Sequence, residues 1–102
     1  MGNSRNLANL LGSGSTFAGA VTFDGGAKFN DNDKAQFGAG NDLQIYHSGA
    51  ASFVAEAGAG GLNVGGSSVS IQNAALDENM AVFTQDGAVE LYHNNSKKFE
   101  TT

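Results

Sequence analysis

Two histidines, His47 and His93, stand 46 positions apart in matching phrases, IYHSGAASF and LYHNNSKKF. An imidazole works as a general base or a metal ligand only when partner groups converge on it. No His-x-His pair and no neighbouring carboxylate set accompanies either one, so each is expected to be a hydrogen-bonded structural residue. In a three-chain assembly each would form an axial ring, the one arrangement here that would suit zinc, iron or an anion. Asp31, Asn32 and Asp33 suggest a calcium loop, but Ala35 replaces a ligand and Gln36 stands where the pattern needs Gly. The AGAGG run at 57–61 lacks both the G-x-G-x-x-G order and a following helical pattern, so it reads as turns and not as a phosphate cradle. Asp77-Glu78 sits in a solvated DEN turn. Asn94-Asn95-Ser96 fits the glycosylation rule, a match that chance often supplies. With no Cys, no G-x-S-x-G elbow and no persuasive Ser/His/Asp context, no enzyme is expected. No cofactor is expected either.

Composition narrows the partners. Lys and Arg number 5 against 10 Asp and Glu, for a net charge of −5. Phosphate-backbone binding needs clustered cations, and only Lys97-Lys98 forms even a pair, so nucleic acid is not expected. No apolar run approaches a membrane span, no signal-peptide layout opens the chain, and Asn6 breaks the myristoylation pattern. Membrane insertion is not expected. Leu, Ile, Val and Phe together supply 22 of the 102 residues, a low share for an ordered monomer. Burial against other chains would remedy that shortage.

The positioning elements fall into two parts, 1–16 and 17–102. Leu7, Leu10 and Leu11 follow Ser4 at helical spacing, which predicts two turns of helix that must dock on something. They are candidate anchor residues or the seam of a small inter-chain bundle, and GSGS at 12–15 links them to the rest. Beyond it, alternating pieces at 20–23, 34–37, 42–47, 61–64, 68–72, 80–83 and 88–93, separated by Gly, Asn, Asp and Ser, predict an all-β chain. Residues 35–56 align without a gap on 81–102, pairing Ala35 with Ala81, Phe37 with Phe83, Tyr46 with Tyr92 and Phe53 with Phe99. One strand-turn-strand-turn unit therefore occurs twice, with 57–80 as a spacer. Repeats of this kind bury each face on a neighbour, and two copies are few for one chain. The alternative is duplication within a compact monomeric β-sandwich.

GAGNDLQIYH and DGAVELYHNNSKKFETT, within residues 28–102, resemble a module of tail-fibre and other virion appendage proteins of marine bacteriophages, especially those infecting cyanobacteria. SRNLANLL resembles the way many of those chains begin. Ser48 and His93-Asn94 depart from the family's usual Asp positions. The resemblance implies a virion structural protein: an elongated β-prism or β-solenoid-like shaft, an intertwined parallel homotrimer with a short N-terminal helix. Its partners would be other tail or capsid proteins. Family chains usually continue past ETT, so a distal receptor-binding head is expected to lie in another protein or a longer fibre. Leu43, Ile45, Val69, Ile71, Val89 and Leu91 are the candidate inter-chain core, with His47 and His93 as possible axial rings. Tyr46 and Tyr92 are expected to lie outward or between sheets. A host-glycan adhesin using Lys97, Lys98 and the tyrosines, or a capsid decoration protein, are the alternative roles.

Overall fold

A computed structural model describes residues 16–102, and the helix expected at Ser4–Leu11 lies outside them. The described residues are all-β, with no helix. Seven strands run in chain order: β1 (Ala35–Phe37), β2 (Leu43–His47), β3 (Ser52–Glu56), β4 (Ser68–Gln72), β5 (Asn79–Thr84), β6 (Val89–His93) and β7 (Ser96–Glu100). They form two antiparallel meanders, β1-β2-β3 and β4-β5-β6-β7. No strand of one sheet packs on a strand of the other. The radius of gyration is 19.8 Å, against about 13 Å for a compact chain of this length.

Turn chemistry explains where the strands end. Asn41 (φ 56°), Asp86 (φ 56°), Asn94 (φ 50°) and Asn95 (φ 61°) take the left-handed conformation, which Asn and Asp tolerate better than branched residues. Asn94 and Asn95 together make a two-residue hairpin closed by the His93–Ser96 pair, the geometry that matches strand twist. The β4–β5 turn is organised by Asn73, whose Oδ1 accepts from the backbone N–H groups of Asp77 (3.1 Å) and Glu78 (3.0 Å). Ser48 Oγ accepts from Ala50 N (3.3 Å) and Ala51 N (3.2 Å), a turn-closing role that an Asp carboxylate can also fill.

The two copies of the repeat are alike up to the histidine and then diverge. Phe37 pairs with Leu43 and Ala35 with Ile45, as Phe83 pairs with Val89 and Ala81 with Leu91. After the histidine, the first copy spends Ser48–Ala51 on its turn, while the second spends only Asn94 and Asn95. A bulge then falls between Leu91 and Tyr92, with Lys98 the extra residue on the β7 side. Phe53 therefore lies opposite Tyr46, whereas Phe99 lies opposite Leu91. The gap-free alignment matches these two phenylalanines in sequence, but they occupy opposite faces of their sheets.

Two segments expected as strands, 20–23 and 61–64, are unpaired coil, and two unexpected strands, β3 and β7, are present. A strand needs an edge to pair with, and residues 20–23 and 61–64 take up none of the open outer edges of β1, β3, β4 and β7. SKKFE lacks alternation but is tethered by two residues to β6, so the hairpin turn determines it.

The left-handed pair makes a direct test. Asn95→Gly should hold or slightly raise stability, and Asn95→Val should lower it by about 1–2 kcal/mol because a β-branched side chain resists positive φ. Thermal unfolding followed by circular dichroism would read both changes.

Candidate functional site

The registers sort every strand residue onto a face. In the second sheet one face carries two apolar rows, Val69-Phe83-Val89 and Ile71-Ala81-Leu91-Phe99. The opposite face carries Ser68, Ser70, Val82, Thr84, Glu90 and Glu100, with Tyr92 opposite Lys97. The bulge at Lys98 is what sorts Phe99: in an unbroken register it would oppose Glu90 on the polar side. Without it the apolar row would lose its last member.

Among the described residues, nothing covers the apolar rows. No described side chain, apolar or polar, is buried, and Ile71, Leu91 and Phe99 remain 50%, 43% and 53% exposed. Four inter-chain candidates, Val69, Ile71, Val89 and Leu91, thus share one open face of the second sheet. The other two, Leu43 and Ile45, share a face of the first sheet with Ala35, Phe37, Val54 and His47. Beside Ile45 runs an open groove of about 430 Å³, to whose lining Phe29 contributes from outside the sheet.

Neither histidine sits among other ligating groups. His47 Nδ1 and Ser52 Oγ share a 2.8 Å hydrogen bond, a cross-strand contact on the Ile45 face. His93 has only a 3.5 Å approach from Asn94 Nδ2. Among the described residues of one chain, no three His, Cys, Asp or Glu side chains converge. Asp31–Asp33 forms a turn: Asp33 N donates to Asn30 O (2.9 Å), and Asn32 N donates to His47 O (2.7 Å). That bond ties the approach to β1 onto the end of β2.

Of the aromatic and cationic residues named for surface contact, Tyr46 and Lys97 are already engaged. Tyr46 stacks on Phe53 with centroids 5.0 Å apart, and Lys34 Nζ lies 4.7 Å from the Tyr46 ring centre. This cation-π pair belongs to the first sheet's second face. Lys97 Nζ donates to Glu90 (2.8 Å) and Glu100 (3.0 Å). Glu90, and after it Glu100, hold the Lys97 ammonium above its ordinary value of 10.5. Whatever stability the trio contributes is therefore fully present below that value and lost only as pH climbs through the raised one. Lys97 and Lys98, adjacent in sequence, do not act as one basic patch, because the first is neutralised and the second is the bulged residue.

The glycines have a packing reason that sequence reasoning did not find. Side chains built at Gly38 and Gly40 would approach the Asp42 carboxylate to 2.9 and 3.0 Å, and one at Gly58 would run into it. Ala57 N also donates to Asp42 O across the same corner (2.6 Å). The GAG and AGAGG runs therefore make room for Asp42 where the β1–β2 turn meets the end of β3.

Compared with known proteins, the chain matches no family model, no curated sequence and no solved structure.

Crowding at this corner gives an expected outcome. Gly58→Ala should cost about 1–3 kcal/mol by overpacking, and adding Asp42→Ala should recover most of it, a coupling that a double-mutant cycle in denaturant would measure.

Proposed function

We propose that this protein is a structural component of a bacteriophage virion: a short homotrimeric fibre or spike, joined through its N-terminal part to tail or capsid proteins. The observation that carries this reading is that seven ordered strands form two single-layer sheets with open apolar surface while no described side chain is buried. A single sheet layer with nothing on its apolar face is not a stable monomer, since folding rests on covering such faces with a second layer. The chain exposes 8347 Å², against about 5,400 Å² for a compact monomer of this mass. The excess is of the size that obligate assemblies bury, about 2,000–5,000 Å².

The role is mechanical and carries no catalysis. Parallel chains cover one another's apolar faces, and the repeat lays down a similar layer twice along the shaft. Three chains of −5 each give an acidic exterior that keeps separate rods from associating. The resemblance of residues 28–102 to phage appendage modules supports the virion setting.

Light scattering on the purified chain should give a mass near three copies of 10.4 kDa; a well-folded monomer would end the fibre reading. Deleting residues 1–16 should leave the trimer intact and abolish its incorporation into particles, and normal incorporation would refute the anchor.

A further inference from the structure

Residues 17–29 carry an order of their own. FAGAVT, then FDGGAK, then Phe29 repeat a six-residue phrase in which Phe, Gly and a small apolar residue occupy the odd positions. If the segment were fully extended, Phe17, Val21, Phe23, Ala27 and Phe29 would fall on one face, with Thr22, Asp24 and Lys28 on the other; in the single chain it bends at 18–19 and 24–25, and Gly26 takes φ 101°. This is the pattern of a half-buried strand, yet the segment is in no sheet. It makes no backbone hydrogen bond with another described residue, and Phe17, Phe23 and Phe29 are 57%, 63% and 56% exposed.

We propose that residues 17–29 are a strand completed only by other copies of this chain, with Phe17, Phe23 and Phe29 packing against the same residues of neighbouring copies. The inference rests on the homotrimeric reading above and goes beyond it by naming which segment pairs and which of its faces turns inward. Three observations favour a second copy over another occupant. The segment is electrically neutral, Asp24 balancing Lys28, within a chain of −5; like-charged copies can approach along this stripe without repulsion. Its phenylalanines recur every six residues, roughly 20 Å apart in an extended strand, so parallel copies in register bring large residues to the same levels. Between those levels Gly19, Val21, Gly25 and Ala27 are smaller, which lets the backbones come close enough to pair. The chain's excess exposed surface supplies the area such an assembly would cover.

The absence of cysteine in the chain makes the parity testable with single thiols in the full-length protein. Val21→Cys and Thr22→Cys are close in size to the residues they replace and differ in face. In the trimer, Val21→Cys should resist alkylation by a maleimide reagent while Thr22→Cys is modified readily, because the first thiol lies on the inward face and the second in water. The unsubstituted trimer should also protect the amides of residues 18–29 from hydrogen exchange as well as those of β2 and β3. Equal alkylation at both positions, or unprotected amides in a preparation whose mass is three copies, would overturn this inference and leave the trimeric reading standing. A monomeric mass for the unsubstituted protein would overturn both.

Discussion

The constraint on which the rest of the structure depends is that each sheet is a single layer. An antiparallel sheet keeps one face wet only if the other is covered, and here the cover does not come from the described residues. The two meanders lie apart, joined by a coil through residues 57–67. Backbone hydrogen bonding within each meander is satisfied strand by strand, so local order is complete before any apolar surface is removed from water. Hairpins of this kind are marginal when isolated. The described residues supply no second layer; in the proposed assembly neighbouring copies would supply it.

That condition explains the care with which the second sheet is sorted. Seven apolar side chains from four strands share one face, and the chain breaks its own ladder at Lys98 to keep Phe99 among them. A bulge leaves one residue unpaired and bends the strand, so its retention is reasonable only if the face it completes is buried somewhere. The first sheet is sorted less strictly. Ile45 and Val54 occupy one side, while Tyr46 and Phe53 stack on the other beneath Lys34. Both of its faces therefore hold apolar area, and only the tyrosine-bearing one has a cation over it.

Most of this sheet architecture was legible in the sequence, and the exceptions have physical causes. Period-two alternation located β2, β4, β5 and β6, because those strands are half-apolar and bounded by Gly, Asn or Asp. The faces shared by Leu43 and Ile45, and by Val89 and Leu91, followed from the same alternation. β3 and β7 were missed because SFVAE and SKKFE do not alternate; their pairing follows from a four-residue and a two-residue turn whose lengths a gap-free alignment hides. Residues 20–23 and 61–64 alternate as strands do but pair with none of the open outer edges of the two sheets. Periodicity reports what a segment is suited to bury, whereas strand formation also needs a partner that one sequence cannot display. The Asp42 corner was illegible for a different reason: the glycines that accommodate it come from two separate turns, and only the fold brings them together.

Charge placement then constrains which way the second sheet can turn. Lys97, Glu90 and Glu100 occupy the face opposite the apolar rows, and turning that face inward would strip water from three ionised groups with a net charge of −1. Exposed ion pairs contribute little to stability, whereas burying charge without full pairing costs several kcal/mol. The trio is thus better understood as a determinant of orientation than as a fastening. Repeated over several copies, the same −1 faces outward each time, and the strip of like charge that results is screened only beyond roughly 8 Å at physiological salt. In the proposed assembly, apolar rows on one side and charge on the other favour one orientation: rows toward the shared interior, with the Lys97 trio in water.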